Sequence, residues 1–215
     1  MIGEVIDSSK INASAAKQLL SVFTELTGKH KKVIAIAGES GSGKTHMALA
    51  LKAAFSALGQ QALILHMDDF YILPPALNHQ NRLLGMQNVG PQEVDLQRMQ
   101  EVLSQFKNGA QTVLTPVVHY YENKIEEISY QVEDVAVLIV EGTYAFYQNE
   151  TDFNLFMSRN YLQTRELREK RSRGNEVNDP FIEKVLEKEH ELVLAKKEKA
   201  NAWIDYDFNL RCDAE

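Results

Sequence analysis

Two hydrophobic periods alternate along the chain. Between residues 13 and 26, apolar side chains recur at helical spacing (Ala16, Leu19, Leu20, Phe23, Leu26) and stop near Gly28, which predicts a helix. KVIAIAG, residues 32–38, is continuously apolar and short, the pattern of a strand covered on both faces. KTHMALALKAAFSALG, residues 44–59, returns to helical spacing and ends at a glycine stop. ALILHM (62–67) and VAVLIVEG (135–142) read as two further buried strands, DFNLFMS (152–158) as a fourth and AWIDYDF (202–208) as the last. Helices are expected over 92–109, over a charged stretch at 163–172, and over 180–197. TVLTPVVHYY (112–121) and EEISYQV (126–132) read as a hairpin turning around residues 122–124. Residues 72–92 contain Pro74, Pro75, Gly85, Gly90 and Pro91 and are expected to be irregular, a length of loop that is usually functional or mobile.

Buried strands alternating with helices imply right-handed crossovers and a mostly parallel, covered sheet. Ligands in such sheets sit beyond the carboxyl ends of the strands. The 215 residues suit one domain with a small appendage, and 44% hydrophobic content supplies a core. A formal net charge of -7 argues against nucleic acid as a partner, because phosphate backbones need a basic surface. Any phosphate chemistry must then use local positive charge. Cys212 is the only cysteine, which fits a reducing, cytoplasmic setting. The first twenty residues lack a signal-type apolar core, and no run approaches the ~20 apolar residues of a membrane span. There is no internal repeat.

The chemistry begins at GESGSGKT, residues 38–45, which matches G-x-x-x-x-G-K-[ST]. Gly38, Gly41 and Gly43 let the loop curl, so that backbone N–H groups through Glu39, Ser40 and Ser42 can point at phosphate oxygens. The helix that starts at Lys44 adds its positive end. Lys44 is placed to reach the β- and γ-phosphates, the Thr45 hydroxyl to hold Mg²⁺, and His46 to lie beside the phosphates. The motif has its proper context, a buried strand before it and a helix after it. The chain lacks the D-x-x-G and N-K-x-D signals of GTPases, since its one NK, Asn123 and Lys124, is followed by Ile125 and Glu126. The L-S-G-G-Q signature of transporter ATPases is absent as well. A small-molecule kinase remains, and it needs an acceptor base, a second metal anchor and a cationic clamp.

Each need has a candidate. Glu141 ends a buried strand and is placed to bind Mg²⁺, directly or through water. Five of the eight arginines fall between residues 159 and 173: Arg159, Arg165, Arg168, Arg171 and Arg173. Arg165, Arg168 and Arg171 are spaced by three on a helix, and guanidinium groups bind phosphate through paired hydrogen bonds. The polar RSRGNEVND that follows reads as a mobile lid, about 165–180. In HMDDFY a strand ends on Asp68 and Asp69, and a carboxylate there can accept the proton of an acceptor hydroxyl. Alternation in an extended segment would point one of the two at the phosphates.

GESGSGKT, DDFY, VEGTYAFY and the arginine-rich segment together resemble the uridine kinase/phosphoribulokinase-like P-loop kinases, over about residues 32–208. The resemblance implies an α/β, P-loop NTPase-type three-layer fold with a mostly parallel central sheet, an inserted β-hairpin and an arginine-rich lid. Residues 1–30 would be a helical extension and 31–215 the kinase domain. It also implies ATP and Mg²⁺ as cofactors and a hydroxyl-bearing small metabolite as acceptor. Asp68 matches the family's catalytic aspartate, with a possible contact to the metal's water shell. Glu141 matches the metal-associated glutamate, and Arg168, Arg171 and Arg173 match the lid arginines. The departures concern the acceptor. Where pyrimidine nucleoside kinases carry an aspartate before His-Pro, this chain has Val89 and Gly90 before Pro91. TPVVHYYENK puts Val118, His119 and Asn123 where those kinases carry a tyrosine, an aspartate and a later histidine.

The acceptor candidates are therefore Asp69, Tyr71, Arg82, Asp95, His119 and Tyr121. Asp95 serves equally as a first-turn acid on its helix. The expected activity is transfer of the ATP γ-phosphate to a nucleoside- or sugar-type hydroxyl. Glycerate, pantothenate and nicotinamide riboside remain open as acceptors, as does an ATP-binding sensor without transfer. No nucleic-acid or membrane partner is expected, and a homo-oligomer stays open.

Overall fold

The computed structural model describes residues 10–24, 31–169 and 179–212. Its centre is a six-stranded sheet in the order β2-β5-β1-β6-β7-β8. The strands are β1 (Lys32–Gly38), β2 (Gln61–His66), β5 (Val135–Glu141), β6 (Phe153–Met157), β7 (Ala202–Ile204) and β8 (Leu210–Arg211). Only β8 runs antiparallel. The long last strand expected over 202–208 breaks after Ile204, because Asp205 accepts the N–H groups of Asp207 and Asn209 and turns the chain.

Alternation along β1 explains the three layers. Val33, Ala35 and Ala37 face one core cluster, and Ile34 and Ile36 face the other. The first cluster is closed by Met99, Val102, Leu103 and Phe106 of α4 (Leu96–Lys107). The second is closed by Met47, Leu51 and Phe55 of α2 (Lys44–Ala57). Ala15, Ala16, Leu19 and Phe23 of α1 (Lys10–Thr24) pack into that second cluster, with the Phe23 ring edge-on to Phe153 at 4.7 Å. Both faces are thus covered, which is why the strands read as unbroken apolar runs.

Residues 72–92 are more ordered than their prolines and glycines imply. They contain the helix α3 (Pro75–Leu83) and short 3-10 turns at Met86–Asn88 and Pro91–Glu93. Pro75 sits in the first helical turn, where its missing N–H costs nothing. An antiparallel bridge between Tyr71 and Val94 pinches the segment shut, with Ile72 N–H donating to the Glu93 carbonyl and Asp95 N–H to the Phe70 carbonyl. The strands β3 (Thr112–His119) and β4 (Lys124–Gln131) form a separate antiparallel pair. Its tip touches α3, because the Asn123 side chain accepts the Ala76 N–H at 2.8 Å. Among the described residues two α-helices follow β6, the short α5 (Arg165–Glu169) and α6 (Pro180–Leu194). No described helix is long and apolar enough to cross a membrane.

Candidate active site

The site lies beyond the carboxyl ends of β1, β5 and β2. Residues 39–43 curl between β1 and α2, with Ser42 N–H donating to the Glu39 carbonyl at 3.1 Å. Gly41 has φ 78°, and a Cβ there would sit 2.9 Å from the Thr164 Cβ and 3.2 Å from the Arg168 Cγ. Only glycine satisfies both the backbone and the close approach. Lys44 Nζ donates to the Glu39 carbonyl at 2.9 Å, which keeps the ammonium folded over the loop. His46 is half-buried in the first turn of α2.

Glu39 does more than line the loop. Its buried carboxylate accepts the Tyr161 N–H at 2.6 Å and contacts His190 Nδ1 of α6 at 2.6 Å. Thr164 Oγ1 donates to the Ser40 carbonyl at 2.8 Å. The segment before α5 is therefore fastened to the phosphate loop at consecutive residues. Arg168 lies in the same joint, 2% exposed, with Nη2 donating to the Tyr161 carbonyl at 2.9 Å. Arg165 is exposed on α5, so the two arginines do not share one face. Arg159 lies outside α5, donating to the Tyr206 carbonyl at 2.9 Å and stacking 3.8 Å from the Phe208 ring centroid. Arg171 and Arg173 lie outside the described residues.

Parallel register brings the metal-type donors together. His66 and Glu141 are partners at the ends of β2 and β5, and Ile36 of β1 pairs with Glu141 on the other side. Glu141 Oε1 accepts from Thr45 Oγ1 at 3.1 Å and meets His66 Nδ1 at 2.7 Å. Burial alone would push the Glu141 carboxyl up. The hydrogen bond and charge of His66, the Lys44 ammonium and the Thr45 hydroxyl outweigh it, and the carboxyl titrates below its ordinary range. His66 shows the mirror case, with burial lowering it and Glu141 raising it to a net rise. The oxygen donors Thr45 and Glu141 fit Mg²⁺, which takes one or two carboxylates and completes its shell with water and phosphate. His66 was not expected as Glu141's partner. Nothing in its local sequence signals that contact, which arises from the β2–β5 register.

The two aspartates of HMDDFY part company in a way that strand alternation did not anticipate. The strand ends at His66, and residues Met67–Phe70 form a 3-10 turn, so successive side chains step by about a third of a turn. Asp69 is buried, and its Oδ1 accepts the Val118 N–H at 2.9 Å, tying the hairpin to the strand end. Burial pushes the Asp69 carboxyl up, with the Val118 N–H opposing. Asp68 is half-buried and has no hydrogen bond or ion pair among the described residues. The turn is held by close packing, since a Cβ on Gly142 would fall 2.3 Å from the Met67 Cβ. Gly142→Ala is expected to displace the turn and to cost about 1–3 kcal/mol, as overpacked cores do. Thermal unfolding checks this, and an unchanged midpoint would refute it.

The other acceptor candidates are placed as follows. Arg82 of α3 is half-buried between two acids, with Nε and Nη2 on Glu93 and Nη2 3.2 Å from Glu189 Oε1 of α6. Nη2 also donates to the Tyr71 hydroxyl at 3.3 Å. Burial disfavours the Arg82 charge, but Tyr71, Glu189 and Glu93 raise its pKa above the ordinary arginine value. Asp95 caps α4 by accepting the Arg98 N–H at 2.8 Å and is exposed. His119 Nε2 lies 3.0 Å from Glu126 across the hairpin, and Tyr121 is 73% exposed. Glu189 and His190 escaped the sequence reading because their partners Arg82 and Glu39 are far away in the chain. Glu93 escaped it because its partners Asn78 and Arg82 lie on α3, a helix the sequence did not predict.

A phosphate-type loop at the sheet's carboxyl edge, a Thr–Glu oxygen pair and an adjacent aspartate, unpaired among the described residues, define a P-loop nucleotide-binding protein of the α/β class. The model of the Phosphoribulokinase / Uridine kinase family matches residues 33–192, and the chain belongs to this family. It is 28% identical over 194 residues to the bifunctional alpha-galactosidase/sucrose kinase AgaSK of Mediterraneibacter gnavus, covering 83% of this chain and 20% of that protein. It is 30% identical over 125 residues to the uridine kinase of Ureaplasma urealyticum serovar 10, covering 58% of each. The match thus spans less than two thirds of either relative's length. A possible uridine kinase from Bacillus stearothermophilus shares the fold, with a TM-score of 0.69 at 18% identity, over 89% of this chain and 98% of that one.

Proposed function

We propose that this protein transfers the γ-phosphoryl group of ATP to a hydroxyl of a small nucleoside- or sugar-type metabolite. The observation that carries the reading is the convergence of Lys44, Thr45, Glu141 and Asp68, which has no partner among the described residues, at neighbouring strand ends. The family membership supports it, as do relatives named for uridine and sucrose phosphorylation.

The loop N–H groups and Lys44 hold the β- and γ-phosphates. Mg²⁺ held by Thr45 and Glu141 would supply charge neutralisation on the phosphate oxygens. Asp68 orients the acceptor hydroxyl and takes its proton as the oxygen attacks the γ-phosphorus and ADP leaves. Asp69 sets the hairpin beside that hydroxyl through Val118 N–H. Arg171 and Arg173 are the arginines we assign to the transferring phosphoryl group, because Arg168 is committed beneath the phosphate loop.

ATP consumption measured against nucleosides, sugars, glycerate and pantothenate tests the reading. Turnover should depend on a hydroxylated acceptor. ATP binding without turnover of any acceptor would favour a nucleotide sensor instead.

A further inference from the structure

The phosphate loop carries an anion of its own. Glu39 is its second residue, and a carboxylate is the wrong charge for a loop that gathers phosphates at the positive end of α2. The structure turns that carboxylate aside. Both of its oxygens are engaged from outside the loop. Oε2 accepts the Tyr161 N–H at 2.6 Å, and Oε1 meets His190 Nδ1 at 2.6 Å. An ionised carboxylate only accepts, so Nδ1 carries the proton of that hydrogen bond.

The two donors come from different elements. Tyr161 precedes α5, and its peptide is fixed by Arg168, whose Nη2 donates to the Tyr161 carbonyl at 2.9 Å. His190 lies on α6, 151 residues from Glu39, with its ring 5.7 Å from the Tyr161 ring and inclined to it by 61°. Lys44 shows what depends on this arrangement. Its Nζ sits on the Glu39 carbonyl at 2.9 Å, so the ammonium meant for phosphate and the pinned carboxylate meet at one residue.

We propose that His190 is a positioning residue for nucleotide binding: it pins the Glu39 carboxylate outside the phosphate loop and so reserves Lys44 and the α2 N-terminus for the phosphates of ATP. This rests on the nucleotide-binding half of the kinase reading above. Without the His190 donor, the carboxylate keeps the Tyr161 N–H alone among the described donors and can turn toward the Lys44 ammonium. There it competes with the phosphates for the cation and repels them. His190 acts through Glu39 and not on the nucleotide itself.

Calorimetric titration with a non-hydrolysable ATP analogue and Mg²⁺ tests this on variants that separate the donor from the ring. His190→Phe keeps a ring against Tyr161 and removes the donor. It should raise the Kd for the analogue by ~10- to 100-fold, the size expected for losing a hydrogen bond to a charged group. Turnover at saturating ATP should fall far less than the affinity does. His190→Asn loses the ring but can still donate from its amide, and it should recover most of the lost affinity. Adding Glu39→Gln to His190→Phe should also restore most of it, because the amide brings no charge to Lys44. A packing role predicts the opposite order, and any of its three results overturns the proposal: native-like binding by His190→Phe, weaker binding by His190→Asn than by His190→Phe, or no rescue by Glu39→Gln. Should His190→Phe not fold, His190→Ala takes its place with the same expected change and the same rescue. Because the readout is binding, the two readings fail separately. A native protein that binds the analogue and turns over no acceptor fails the kinase reading, whereas equal binding by the native protein and all variants fails the proposal.

Discussion

Asp68→Asn is expected to bind ATP as the native protein does and to transfer phosphate ~10²- to 10⁴-fold more slowly, the usual worth of a positioned general base. The amide keeps the shape of the carboxylate and loses only its basicity. ATP affinity should survive because the proposed phosphate contacts belong to residues 38–45, and Asp68 bonds to none of the described residues. Asp69→Asn is the informative contrast. Its oxygen can still accept the Val118 N–H, so turnover should fall far less. Single-turnover assays beside nucleotide titration read both outcomes. Native-like turnover in Asp68→Asn would remove the assignment of the base.

The largest stability effect is expected at Arg82. Arg82→Met leaves Glu93 and Glu189 buried without their guanidinium, and breaking one side of a buried pair costs about 3–5 kcal/mol. Urea denaturation should show a lower midpoint with an unchanged slope. Glu189→Gln should behave oppositely. Burial is the main force raising the Glu189 carboxyl, with Arg82 opposing and Glu93 adding to the rise. A carboxyl raised in the folded state favours folding while it is protonated. That contribution is present below the ordinary glutamate value and is lost as pH rises through the folded value. The native protein should therefore lose stability across that window, and Glu189→Gln should flatten the loss. A steeper pH dependence in the variant would contradict the account.

Local patterns carried most of the fold. Apolar runs at β1, β2 and β5 read correctly as strands because both of their faces are covered, and α2 and α4 read correctly from helical spacing. The α3 helix did not, since its mean composition is polar and Pro74, Pro75 and Gly85 suggested a loop. Its order comes from contacts that no local window contains: the Tyr71–Val94 bridge, the Asn123 contact and the Arg82 ion pairs.

The phosphate-type loop was legible in the chain alone. GESGSGKT works through backbone geometry and residues adjacent in the chain, so a short window contains the whole device. The tertiary structure decided the rest. Strand register paired His66 with Glu141, a 3-10 turn separated Asp68 from Asp69, and α6 brought Glu189 to Arg82 across 107 residues. The reason is range. Helix and strand periods act over a few residues, whereas acceptor recognition needs groups that meet only after the sheet and its covering helices have packed.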